Sequence, residues 1–203
     1  IWIDSFTQPM SVDGIDILWV IDRSGSMGRY NTELLNGIQA MLGALPTADW
    51  RLVMINADPT RSIGNTEFPL VPGDTIADAE NMLNRLTMAS LEEGFNSVYQ
   101  YITNNPYSST WLRPEAGLLV VFVSDEEEQS DVEYPNVSDF LSWYQMQRMG
   151  SVFMASVVNV GEPDSVCDHY VSTIDVGNRY MDATNMLGGT IVDICDEDWA
   201  PGV

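Results

Sequence analysis

Residues 15–28 read IDILWVIDRSGSMG, and this stretch decides the fold class. Its first seven residues form a short, nearly continuous apolar run, the pattern of a strand covered on both faces. Asp22-Arg23-Ser24-Gly25-Ser26 follows, a polar turn with the pattern D-x-S-x-S. A helix-period segment comes next, over residues 30–45. Leu34, Leu35, Ile38, Met41, Leu42 and Leu45 share one face of it, and Pro46 stops it. Strand, polar loop and helix in that order open a βαβ unit.

The alternation continues along the chain. Trp50–Asn56 (WRLVMIN) reads as a second strand, and residues 61–70 as an edge strand or a loop. Residues 75–86 read as a helix capped by Asp74 or Thr75, and residues 94–103 as another. Gly117–Ser124 (GLLVVFVS) is the strongest strand signal. A helix over 137–149, a strand over 151–158, a helix over 180–187 ended by Gly188-Gly189 and a strand over 190–194 complete the pattern. Strands alternating with helices imply a mostly parallel sheet wrapped on both faces, an α/β doubly wound, Rossmann-like fold. The 203 residues, 45% of them hydrophobic, suffice for one such domain and are thin for two. The expectation is a single domain over 1–203, with its core at 15–198 and short extensions at either end.

Composition excludes several functions. Thirty acidic residues stand against eight basic ones, a net charge of -22, and all eight are arginines. Without a basic stripe to displace phosphate counterions, nucleic acid is not a partner, and an anionic membrane surface repels the chain. No segment approaches the roughly 18 apolar residues that a transmembrane helix needs, so direct membrane insertion is not expected. The absence of lysine removes Walker A and Schiff-base chemistry. Most of the acidity reads as solubility or adaptation to salt, since one cation site uses few carboxylates. Cys167 and Cys195 have no C-x-x-C spacing and look like a disulfide, worth roughly 3 to 4 kcal/mol in the chain-entropy model. That reading places the protein outside the cell or on its surface. The alternative is two buried free thiols in a cytosolic protein.

In an open α/β sheet, ligands collect beyond the carboxyl ends of the central strands. Two strands end there in acidic, hydroxyl-rich loops, one at Asp22–Ser26 and one at Ser124-Asp125-Glu126-Glu127-Glu128. If those strands are neighbours, Asp22, Ser24, Ser26 and Asp125 converge. Carboxylate and hydroxyl oxygens are hard ligands, suited to one divalent cation such as Ca²⁺ or Mg²⁺. Gly25 is read as freeing the backbone to curl around the ion. The blander alternative is a plain strand-to-helix turn with a serine cap.

These residues carry a family resemblance. IDILWVIDRSGSMG resembles the opening of a von Willebrand factor type A domain, with Asp22, Ser24 and Ser26 at its metal-ion-dependent adhesion site. VVFVSDEEEQ resembles the strand and loop supplying the family's later aspartate, here Asp125. RYMDATNMLGGTIVDICDEDW resembles the last helix and strand of secreted bacterial members, with a cysteine at the position of Cys195. The resemblance implies a six-stranded sheet in the order 3-2-1-4-5-6 with one short antiparallel edge strand. It also implies a partner bound through the metal. One departure stands out: where the family usually supplies a threonine, alignment on Ser97 and Val98 places Glu92, with Glu93, Ser90 and Ser97 as the other candidates. A third carboxylate favours Ca²⁺, which accepts more ligands in looser geometry. The alternative is a solvated glutamate at a helix start.

Three functions compete. The first is an adhesion module whose metal binds a protein or glycan ligand. The second is a structural building block of a surface or particle assembly, with the ion only rigidifying loops. The third, a metal-dependent hydrolase, is weakest: there is one histidine, no lysine, no G-x-S-x-G and no H-E-x-x-H. The run Glu126–Glu128 with Asp131 reads as a solvated acidic rim or a second weak cation site, His169 as a loop residue, and Trp111 as an exposed contact.

Overall fold

The computed structural model describes residues 14–45, 49–148, 151–161, 165, 167 and 176–200. Pro46, His169 and the amino-terminal extension lie outside them. Strands β1 (Ile15–Ile21), β2 (Trp50–Asn56), β3 (Gly117–Ser124), β4 (Val152–Val158) and β5 (Thr190–Asp193) pair in parallel in the order β2-β1-β3-β4-β5. The helices are α1 (Asn31–Ala44), α2 (Pro59–Ser62), α3 (Ile76–Arg85), α4 (Gly94–Asn104), α5 (Ser108–Trp111), α6 (Val137–Gln145) and α7 (Asn178–Met186). A 3₁₀ turn, Ser26–Tyr30, leads into α1.

Successive side chains of a strand face opposite sides, and on β1 both sets are apolar apart from Asp16. Ile17, Trp19 and Ile21 pack with Leu34 and Ile38 of α1 and with Met82 and Leu83 of α3. Leu18 and Val20 pack on the other face, with Phe95 and Tyr101 of α4, Phe140 of α6 and Tyr180 of α7. Each such side chain contributes about 1.5–3 kcal/mol when fully buried, so the two layers hold the sheet from both sides. Thr75 and Asp78 form a capping box at α3, and Asn136 and Asp139 form another at α6.

The sheet has five strands among the described residues, not six. Of the two readings for residues 61–70, edge strand or loop, the loop holds: the segment pairs with β2 only at Leu70, through two bonds with Leu52 of 2.8 and 3.0 Å. Its sequence explains this. Residues 59–62 form α2, and Pro69 has no N–H to give a ladder. The Asn105 side chain then holds the carbonyls of Ser62, Ile63 and Asn65 at 3.1, 3.0 and 2.6 Å, bending the chain into a loop.

Two smaller expectations also fail. Helix α6 stops at Gln145 rather than 149, because Arg148 turns inward to the carbonyl of Ala116 at 3.1 Å. Trp111 is 3% exposed, not a surface contact, and its indole N–H donates to Tyr101 at 2.9 Å. Cys167 and Cys195 are joined in a disulfide, which removes the free-thiol alternative. The tail packs back on the domain through Trp199, which is buried in the core.

Candidate metal centre

Strand β1 has β2 on one side and β3 on the other, so the strand order reverses direction at β1 and a crevice opens beyond its carboxyl end. Register brings the first two groups together. Ile21 lies opposite Val123, and Asp22 extends the ladder by one bond, N–H to Val123 O at 2.9 Å. Asp22 therefore stands beside Ser124, whose hydroxyl donates to Asp22 Oδ2 at 3.0 Å. The other carboxylate oxygen, Oδ1, accepts the Ser24 N–H at 2.7 Å.

From there the D-x-S-x-S loop closes on Asp125. Ser24 Oγ and Ser26 Oγ lie 2.9 Å apart, and Ser26 Oγ donates to Asp125 Oδ1 at 3.0 Å. Asp22 and Asp125 are each 1% exposed, whereas Ser24 and Ser26 are half-buried and Gly25 is exposed. Gly25 itself has φ -64° and ψ -29°, ordinary right-handed values, and a Cβ there meets nothing within 4 Å. The curl of this loop therefore does not need a glycine.

Two carboxylates and two hydroxyls strung at hydrogen-bond distance are the donor chemistry of a hard divalent cation, and the residues fit such an ion. Electrostatics point the same way. Burial, joined by the charge of Asp125, pushes the Asp22 carboxyl above its usual range against the bonds from Ser24 and Ser124. A cation removes that cost.

Glu92 is placed differently. It is 4% exposed, its Oε2 accepts the Gln129 side-chain amide at 2.8 Å, and its carbonyl accepts the Gln129 N–H at 2.8 Å. Burial first, then the charges of Asp22 and Glu126, push its carboxyl up to about 7. It is near enough to feel Asp22 but does not converge with the aspartates. Among the described residues, the one trio of His, Cys, Asp or Glu donor atoms within 4.8 Å of one another is Cys167, Asp193 and Cys195, whose sulfurs are bonded to each other.

In the acidic run after Asp125, Glu127 and Glu128 have partners inside the fold rather than forming a solvated rim. Glu127 caps α7, accepting the N–H groups of Asn178 and Arg179 at 3.2 and 3.0 Å. Glu128 is buried, accepting from the N–H groups of Phe95 and Ser130 and from Arg179 Nε at 2.9 Å. Asp131 is exposed. Ser124 and Gln129 were not singled out in the sequence. Parallel register would have found Ser124, since it follows the residue opposite Ile21; no local signal marks Gln129.

The loop between α3 and α4 borders the crevice, because Ala89 N–H donates to Arg23 O at 3.2 Å. Met88 and Leu91, flanking Ala89 in sequence, are exposed.

No protein-family model matches this sequence, and no curated protein matches it. Among solved structures, the chain is similar to proximal thread matrix protein 1 from the mussel byssus, at 13% identity and a TM-score of 0.47 over 74% of this chain. A second structure of that protein, described as having a zinc-occupied MIDAS motif, is similar at 13% identity with a TM-score of 0.48. The chain spans 37–38% of the length of those proteins. At such identities no residue role is carried over from them. What this chain resembles, in its D-x-S-x-S loop and its later aspartate, is the von Willebrand factor type A domain.

Proposed function

We propose that this chain is a von Willebrand factor type A-like interaction module. It holds one divalent cation on Asp22, Ser24, Ser26 and Asp125 and offers it to a partner, without catalysing a reaction. The observation that carries the reading is the continuous run of contacts from Asp22 through Ser24 and Ser26 to Asp125. When bound, the ion supplies an electrophilic coordination position, which an acidic side chain or a glycan oxygen completes. The exposed loop around Gly25 leaves an approach, and Met88 and Leu91 give it an apolar border.

Glu92 adds its charge beside the site, with its carboxylate steered by Gln129. The extra negative charge favours Ca²⁺ over Mg²⁺. The disulfide supports an exported protein. A structural role, with the ion only rigidifying the loops, is the second reading, and the near-complete burial of Asp22 and Asp125 favours it.

Capture of partners from the surrounding matrix, with and without chelator, separates the two. Ion-dependent capture lost in Asp22→Ala supports the interaction module. Tight ion binding with capture indifferent to chelator supports the structural role.

A further inference from the structure

The loop that replaces the expected edge strand builds a groove that the metal site does not use. Residues 62–70 run along the outside of β2, and they are held rather than loose. Asn105 ties their carbonyls, the Asn65 side chain donates to Met54 O of β2 at 2.9 Å, and Leu70 pairs with Leu52. Glu67 is clamped by Arg85 of α3 in a two-bond fork of 2.7 and 2.5 Å.

Two depressions meet at that fork, sharing Thr66, Glu67 and Arg85 as a common wall. The first, about 300 Å³, is lined by Asn56, Thr60, Arg61, Asn65 and Thr87. The second, about 350 Å³, is lined by Phe68, Asp74, Asp78 and Asn81. Each is at the lower limit of small-ligand sites, and together they form an elongated trough.

The chemistry of the walls is specific. Amide, hydroxyl, carboxylate and guanidinium groups alternate, offering both donors and acceptors along the trough. Phe68 lines the second depression and is 72% exposed, which leaves an aromatic face open to a ligand. Arg61 lines the first depression. Among the described residues it is the one arginine whose guanidinium meets no hydrogen-bond or ion-pair partner, in a protein with net charge -22.

A sugar ring matches this arrangement. It has an apolar face of C–H groups to lie on an aromatic ring and a rim of hydroxyls that both donate and accept. A peptide strand does not match, since Leu70 and Asn65 already take the backbone groups of β2 that augmentation would need. We infer that the trough beside β2 binds a hydroxyl-rich glycan chain, one sugar against Phe68 and another under Arg61, independently of the cation.

The test is calorimetric titration of the whole chain with cellohexaose, mannohexaose, chitohexaose and hexagalacturonate, with and without chelator. At least one is expected to bind in both conditions. Phe68→Ala and Arg61→Ala are each expected to weaken it about tenfold, whereas Asp22→Ala leaves it unchanged. The inference is overturned by no binding of any probe at millimolar concentration, or by binding that disappears with chelator and in Asp22→Ala. The second result assigns the sugar to the metal site and leaves the proposed function standing. Binding that survives both Phe68→Ala and Arg61→Ala also overturns the trough as the site.

Discussion

Strand β1 carries a buried aspartate at its first turn and another just past its last, and the two live in opposite surroundings. Asp16, at the amino end, is fully buried and meets arginine. Arg113 donates its backbone N–H at 2.6 Å and its Nε at 2.9 Å, and Arg148 stands 3.8 Å away. Arg113 also reaches Asp49, tying the turn before β2 to the same cluster. Asp22, at the carboxyl end, is equally buried, yet its carboxylate accepts only from the Ser24 backbone and from hydroxyls, and Asp125 and Glu92 add like charge. One end of the strand carries its countercharge within the chain. The other gathers like charge with Arg23 as the neighbouring cation, and on the proposed reading takes the rest of its countercharge from an ion. Burial alone does not separate a structural aspartate from a binding one; the partner set does.

The largest expected difference follows from removing each carboxylate. Asp16→Ala strands two arginines in a dry site, and breaking a buried pair costs about 3–5 kcal/mol. Urea unfolding in chelator should show that loss. Asp22→Ala should cost less, because the relieved repulsion offsets the bonds lost from Ser24 and Ser124. Equal destabilisation by both would erase the distinction between the two ends.

Reduction of the disulfide perturbs the carboxyl end without touching a proposed ligand. Cys195 lies just past β5, and the Tyr30 hydroxyl sits 3.4 Å from its sulfur. A dithiol should lower stability by about 3–4 kcal/mol in the chain-entropy model, while ion affinity persists. Loss of ion binding on reduction would make the disulfide part of the site.

Two glycines near the same end sharpen the picture. A Cβ on Gly94, at the start of α4, meets the Tyr180 hydroxyl at 2.5 Å and its ring at 2.8 Å, so Gly94→Ala should cost about 1–3 kcal/mol. Gly25→Ala, inside the ion loop, should stay within about 0.5 kcal/mol and keep ion binding.

A further effect is on pH. In the ion-free protein the Glu92 carboxyl is raised from its usual value to about 7, so the folded state binds its proton more tightly than the unfolded state does. Between pH 4.5 and about 7 this group therefore lowers stability as pH rises, and above that range its effect is flat. The same proton competes with the cation, so ion affinity should fall as pH drops below about 7. Glu92→Gln should flatten both dependences. Glu92→Thr should shift preference from Ca²⁺ towards Mg²⁺, and an unchanged ratio in paired titrations would leave Glu92 outside the ion's surroundings.

The strands of this fold were legible because their apolar runs are long and bounded by turn residues. The D-x-S-x-S loop was legible because it directly follows such a run. The edge strand was not, since residues 61–70 carry no alternation, and their course is set by Asn105, some forty residues away. Glu127 and Glu128 show the same limit at the site. In sequence they are a charge run, while in the fold they meet the start of α7 and Arg179, about fifty residues on. Side chains whose partners are distant in sequence leave no local pattern to read.

The account rests on a cation at the carboxyl end of β1. The direct measurement is calorimetric titration of Ca²⁺, Mg²⁺, Mn²⁺ and Zn²⁺ into chelator-stripped wild type, Asp22→Ala and Gly25→Ala. One equivalent of divalent ion is expected to bind to wild type and to Gly25→Ala, and none to Asp22→Ala. Wild type that binds no ion, or Asp22→Ala that binds as tightly as wild type, would contradict this.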